Sequence, residues 1–249
     1  MTYIKSRQNA EAANATINRE LAALKRSFRL GLRAGLVGKV PYIGLLREDN
    51  ARQGFFELEH FEAVRRHLPE PLRAVVTFAY ITGWRIRSEV LTLRWSQVDF
   101  QHGWVRLEPG TTKNKLGRMF PLTPELRAVL EAQRQHTDSL QKSGTIIPYV
   151  FHRDGRPIHY FRRSWLTACT LAGCPGRIPH DFRRTAVRNL ERAGISRSAA
   201  MALVGHKTQS IYNRYAIVAE QDLKDAGEKL ATLHQAPVKK GKVTQLRPQ

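Results

Sequence analysis

The spacing of apolar residues predicts helices at both ends of the chain and a short strand-like stretch between them. In residues 16–34, Ile17, Leu21, Leu24, Phe28 and Leu32 recur at helical intervals, with Arg19, Lys25, Arg26, Arg29 and Arg33 spread around the rest. This is one amphipathic helix with a basic polar surface. A single helix cannot bury its own stripe, and the short sequence before it barely supplies a partner, so the N-terminal unit reads as incomplete. Residues 38–54, GKVPYIGLLREDNARQG, hold Pro, Gly and polar residues without a sustained period and are read as a linker. Beyond it, Leu58, Phe61, Val64 and Leu68 share one face of a helix over 57–68. Leu72, Val75, Val76, Ala79 and Tyr80 mark a second, more apolar helix over 71–81.

The period then changes. In TGWRIRSEVLTLRW, Gly83 breaks the helix and Arg85 sits at the turn before a new short helix through Leu93. Residues 104–107 and 117–122 read as short strands flanking the turn-like PGTTKNK, with 146–151 as a third. Thr123 followed by Pro124 is a helix start, the threonine as cap and the proline in the first turn. Further helices are predicted over 161–171, 182–192, 196–204 and 212–233, with Gly194 and Gly205 as breaks. The resulting fold class is mainly α with a small antiparallel β-sheet (α+β). Its expected organisation is a partial helical unit and linker over 1–50, a larger domain over 51–235, and a basic mobile tail over 236–249.

Composition adds one feature that the pattern does not show. There are 41 Lys+Arg against 21 Asp+Glu, a net charge of +20. A fold this basic repels itself unless the excess faces a polyanion, and nucleic acid is the natural one where no long apolar anchor is present. The N-terminus lacks the apolar core of a signal peptide, and no run approaches the ~18 apolar residues of a membrane span, so a cytoplasmic protein is expected. Cys169 and Cys174 have neither metal-ligand spacing nor a disulfide framework around them. They are read as reduced thiols, with Cys169 as packing.

Candidate chemistry begins with PHDFRRT, where His180 and Arg183 are three apart and so share a helix face. A guanidinium can grip two nonbridging phosphate oxygens while an imidazole shares a proton nearby. Alone, such a pair is better read as a solvated helix end. LVGHKTQSIYNRY adds His206 after a helix-ending glycine, followed by Tyr212 and Tyr215. A tyrosine hydroxyl can attack phosphorus, but with a pKa near 10 it needs a basic, water-poor pocket; any one tyrosine is more often packing. Arg85 is a second phosphate clamp, Glu89 an orienting partner four residues on, and Lys113 a mobile ammonium in the turn between two strands. Phosphoryl transfer is largely positioning and charge stabilisation, so these groups form a kit that needs no metal or cofactor. The sequence has no paired acidic cluster to hold two divalent ions and no GxxxxGKS phosphate loop.

The ordered series Arg85, Lys113, His180, Arg183, His206, Tyr215 resembles the phage-integrase family of tyrosine recombinases. The likeness lies in TGWR before a helix, TK in a hairpin ahead of RMFPLTPEL, HDFRRT, and VGHKT with a tyrosine nine residues past its histidine, all in family order. It covers roughly residues 14–225, because NATINRELAALKRSF looks like the end of the family's core-binding domain. The resemblance implies that Tyr215 attacks a scissile phosphate of double-stranded DNA to give a 3′-phosphotyrosyl link, with Arg85 and Arg183 stabilising the transition state. It further implies that His180 and His206 bond the phosphate or manage the tyrosine proton, and that Lys113 protonates the leaving oxygen. Family likeness also implies a homo-tetramer on DNA, accessory DNA-bending proteins and a nucleoid location.

Arg85 precedes Glu89 by four residues where the family commonly has three, so Arg87 competes with Arg85. Tyr212 competes with Tyr215, and Lys115 with Lys113. Barely fifty residues precede the expected boundary, short for a full core-binding domain, so the grip around DNA is expected to be half built. The leading function is site-specific recombination or integration. The alternative is a catalytically incompetent DNA-binding remnant that modulates an intact relative. Topoisomerase-like relaxation is a third reading and a generic RNA-binding protein a distant fourth.

Overall fold

The amphipathic stripe near the N-terminus is buried only in its first half, at Ile17 and Leu21, and leaves Leu24 and Leu32 exposed. In the computed structural model, which describes residues 2–48, 54–110, 117–142, 144–213, 215, 223–224, 227–228 and 230–231, a short helix α1 (Thr2–Asn9) precedes α2 (Asn14–Arg33). Nothing in the pattern predicts α1, which carries no apolar stripe. It is tied down by polar contacts instead: the Tyr3 hydroxyl donates to Glu20 at 2.8 Å, and Arg7 grips the same carboxylate with two bonds of 3.0 Å. α2 buries Ile17, Asn18 and Leu21. Asn18 is a buried polar group with its bonds satisfied, donating to the Leu46 carbonyl and accepting the Leu46 N–H, each at 2.8 Å. The chain divides into two compact units, Met1–Gln53 and Gly54–Gln249.

The second unit opens with α3 (Leu58–His67) and α4 (Glu70–Thr82). A three-stranded antiparallel sheet follows, formed by β1 (Val98–Asp99), β2 (Trp104–Leu107) and β3 (Arg118–Pro121). The expected strands over 104–107 and 117–122 pair with Val105 opposite Phe120 and Leu107 opposite Arg118. The strand expected over 146–151 does not form. Tyr149 makes a single bridge to Arg94, and Pro148, which has no N–H, cannot continue a ladder; the third strand is β1. The helix start at Thr123 is present: its hydroxyl accepts from the Leu126 N–H at 3.3 Å, opening α5 (Pro124–Gln141). A small hairpin of β4 (His152–Arg153) and β5 (Arg156–Pro157) leads to α6 (Arg162–Leu171), α7 (Asp181–Arg192), α8 (Arg197–Val204) and α9 (Gln209–Asn213). The fold is thus mainly helical with small antiparallel sheets, as the pattern predicts. Of the helix expected over 212–233, α9 covers the start; most of the rest and the whole 236–249 tail lie outside the described residues.

The core of this unit is aromatic. Phe182 of α7 makes T-shaped contacts with Trp165 at 5.4 Å and Phe61 at 5.7 Å, with Phe56 tilted against it at 4.8 Å. Geometry of this kind adds to plain area burial and fixes α7 against α3 and α6. Cys169 and Cys174 are free and buried, and burial pushes the Cys169 thiol up to about 12, so it behaves as an apolar packing group. Among the described residues no helix is long and apolar enough to cross a membrane.

Candidate active site

The site is assembled where three helix ends meet. α4 stops at Gly83, whose φ of 64° is a left-handed cap and whose N–H closes on the Ala79 carbonyl at 2.9 Å. A Cβ on this glycine would lie 2.8 Å from the Ala186 Cβ. The bare backbone therefore lets α7 come close enough for Arg183 Nη1 to donate to the Gly83 carbonyl at 2.9 Å.

Three residues on, the chain enters a π-helical turn, Ile86–Val90, with Val90 and Leu91 N–H bonding the Arg85 and Ile86 carbonyls at 3.1 and 2.8 Å. A π turn holds one more residue than an α turn. It thereby absorbs the extra residue between Arg85 and Glu89 and still brings the carboxylate back beneath the arginine. Glu89 Oε2 accepts the Arg85 backbone N–H and Oε1 accepts Arg85 Nη1, both at 2.7 Å. Glu89 is fully buried, whereas Arg87 is exposed on the same turn.

α7 supplies the next two groups, His180 at its start and Arg183 in its first turn. Arg183 is 2% exposed. Besides Gly83 it bonds the Gly205 carbonyl at 3.3 Å and His206 Nε2 at 3.0 Å. α8, capped by the Ser196 hydroxyl, ends at Gly205 in a left-handed conformation with φ of 73°, and the next residue is His206. From α9 the chain turns through the bond from Tyr215 N–H to the Tyr212 carbonyl, 2.8 Å. That turn sets the Tyr215 hydroxyl 3.2 Å from His180 Nε2 and stacks its ring on the His206 imidazole at 4.6 Å. The guanidinium carbons of Arg183 and Arg184 lie 5.8 and 5.9 Å from the same ring.

Five of the six predicted residues, Arg85, His180, Arg183, His206 and Tyr215, therefore converge. Lys113 and its rival Lys115 lie outside the described residues. Tyr212 is buried beside His206, and burial, with Glu191 adding to it, pushes its hydroxyl up to about 12. Arg118 is the residue that sequence reasoning missed. It is buried, bonds the Glu89 carboxylate and the Val204 carbonyl, and sits 5.4 Å over the Trp84 ring. Its signal was available, since period-two alternation puts it on the same face of β3 as Phe120.

The electrostatics of the cluster are set by burial and by its own cations. Burial first, then Arg183 and Arg85, lowers His180, and the same order of causes, with Arg118 and His180 added, takes His206 down to about 3. Both are neutral near pH 7. Because His206 Nε2 accepts from Arg183, its proton sits on Nδ1, a buried atom with no hydrogen-bond partner among the described residues. Burial and the Arg85 charge likewise work against the charged form of Arg183. An incoming phosphate would relieve this crowding and accept from the groups left short of partners. Arg85, Arg87, His180 and Arg183 all line a cleft of about 700 Å³, together with Trp84, Leu91, Phe161 and Trp165.

Known proteins resemble the chain across this unit. The profile of the phage integrase family matches residues 55–222. The integrase of Salmonella phage P22 is 27% identical over 235 residues, covering 89% of this chain and 59% of the relative. Tyrosine recombinase XerC of Lactobacillus leichmannii is 29% identical over 231 residues, covering 85% and 75%. The chain thus spans about three fifths of the phage relative and three quarters of the XerC relative. Among solved structures, lambda integrase shares the fold. Its dimer on a COC′ core site gives a TM-score of 0.71 at 16% identity, covering 87% of this chain and 77% of that one. Its tetramer on a Holliday junction gives 0.67 at 17%, covering 87% and 64%.

Proposed function

Since the chain belongs to the phage integrase family, we propose that it cuts and rejoins double-stranded DNA at a specific site through a 3′-phosphotyrosyl intermediate, with Tyr215 as nucleophile. The observation that carries this is the Tyr215 hydroxyl 3.2 Å from His180 Nε2, inside a cluster of buried cations. Tyr215 Oη forms the bond to phosphorus and the P–O5′ bond breaks. The phenol proton passes to the neutral imidazole of His180 and Lys113 protonates the departing 5′ oxygen. Attack by a 5′-hydroxyl from the partner DNA reverses each transfer and frees the tyrosine. Arg85 and Arg183 hold the nonbridging oxygens as charge develops, and His206 Nδ1–H donates to one of them. These groups supply the charge that divalent ions supply in other phosphoryl-transfer sites, so the reaction is proposed to be metal-independent.

The DNA-bound relatives support duplex DNA as the partner, and the lambda tetramer supports a homo-tetramer as the working form; accessory DNA-bending proteins and a nucleoid location are proposed on family likeness alone. The basic surface of α2 suits the first unit to a part of the core-binding grip. A catalytically incompetent remnant would have no need of the assembled cluster, which favours the active enzyme.

The test is a pool of nicked duplexes of randomised sequence, designed so that cleavage releases a short fragment and traps the protein. Wild type is expected to yield a covalent adduct on a denaturing gel, undiminished by EDTA, whose recovered DNA defines the site. Tyr215→Phe abolishes it and Tyr212→Phe does not. Adduct formation by Tyr215→Phe would overturn the assignment.

A further inference from the structure

We infer that Arg118 is a positioning residue of this site, holding Arg85 and the His206 turn in register with each other; the inference rests on the reaction proposed above. The argument starts from cost. A buried guanidinium is costly unless its donors are matched, and Arg118 lies on the core face of β3 between Leu107 and Phe120, 9% exposed. Its donors are matched on two sides by groups that belong to the site.

On one side, Arg118 Nη2 bonds Glu89 Oε1, the oxygen that also accepts from Arg85 Nη1. Sharing the carboxylate divides its charge between two arginines. Arg85 is held at one nitrogen while its remaining donors, on a side chain 25% exposed, stay open to a phosphate. Without Arg118 the whole charge of Glu89 falls on Arg85 and draws it down from the cleft.

On the other side, Arg118 Nη1 donates to the Val204 carbonyl at 2.5 Å. That carbonyl belongs to the last turn of α8, where helix acceptors have no partner within the helix. The next two residues are Gly205 and His206. A Cβ at Gly205 would fall 2.0 Å from Arg118 Nη1, so the glycine there makes room for the guanidinium as well as for the left-handed turn. One side chain thus ties the first arginine of the cluster to the turn that presents its second histidine. Because Arg118 spends its donors on Glu89 and Val204, it is not expected to meet DNA.

This separates positioning from binding. On a duplex recovered from the randomised pool, Arg118→Met is expected to slow single-turnover adduct formation about 10- to 100-fold, the range typical of groups that orient a contacting residue. The DNA affinity and its salt slope should stay at wild-type values. Glu89→Gln should slow the same step, and the double variant should be no slower than the slower single one, because both break one connection. Arg118→Lys keeps the charge but cannot bridge both partners; it is expected to melt near wild type and still react slowly, which keeps the test open if Arg118→Met does not fold. Arg188→Met is the control. It removes an equally buried arginine, paired with Glu57 at 2.5 Å away from the cluster, and should lower stability without slowing cleavage.

The inference is overturned if Arg118→Lys and Arg118→Met react within about threefold of wild type, a factor close to the additivity error of such comparisons. It is also overturned if Arg188→Met slows the step equally, or if the Arg118 and Glu89 effects multiply. Absence of any adduct with wild type would bring down the reaction proposed for the site, and this inference with it.

Discussion

Arg85 and Arg87 stand two positions apart with similar local sequence, yet they meet different physics. Arg85 is anchored twice to a buried carboxylate, while Arg87, exposed on the same π turn and lining the same cleft, has no such anchor among the described residues. Arg85→Ala is therefore expected to lower the rate of adduct formation by about 10²–10³, the usual effect of removing one donor to a developing oxyanion. Arg87→Ala is expected to leave that rate nearly unchanged; single-turnover kinetics on the same duplex decide between them, and a reversed order would reassign the first arginine. Spacing alone left this pair open because it assumes α-helical geometry, and the π turn changes which residue reaches back. The five motif residues that converge, Arg85, His180, Arg183, His206 and Tyr215, stood out through order and residue type. Arg118 was passed over, although its alternation with Phe120 was there to read, because a cation in a strand is taken as solvent-facing until its register is fixed by its partner.

At the scale of elements, the helix and strand positions followed the apolar period closely, and the misses have local causes. α1 holds by hydrogen bonds to Glu20 rather than by a stripe, so periodicity could not see it. The 146–151 segment has strand-like side chains but a proline where a ladder donor is needed. The junction of α4 with α7 is the element contact on which the site depends most, and Gly83 is its narrowest point. Gly83→Ala should cost about 2–4 kcal/mol, combining the penalty of a left-handed Cβ with overpacking against Ala186. It should also slow adduct formation, because Arg183 loses its seat on the Gly83 carbonyl. Denaturant titration beside kinetics checks both; a variant as stable and as fast as wild type would show that the two helices can part without consequence.

For the molecule as a whole, two bulk properties follow from where the charges lie. Three histidines are held neutral chiefly by burial: His152 and His180 are lowered, and His206 falls to about 3. In the unfolded chain each titrates near 6.5. The stability they contribute is complete above that pH and is lost as pH falls from 6.5 toward the folded values, because the unfolded state takes up protons that the native state refuses. Melting curves between pH 7 and 4 should show this slope, and it should be shallower in His206→Asn. The second property is the charge of +20. If the basic surface faces DNA phosphates, each neutralised phosphate releases counterions, so the logarithm of affinity falls linearly with that of salt by about 0.9 per contact. With six or more contacts, binding is expected to weaken about 10³-fold or more between 50 and 200 mM salt. Arg118, buried in the core of its strand, should contribute nothing to that slope, whereas charge reversal on the exposed face of α2 should reduce it. A flat salt dependence would mean that the excess charge serves some purpose other than holding DNA, and would separate the phosphate-binding cluster from the basic surface that surrounds it.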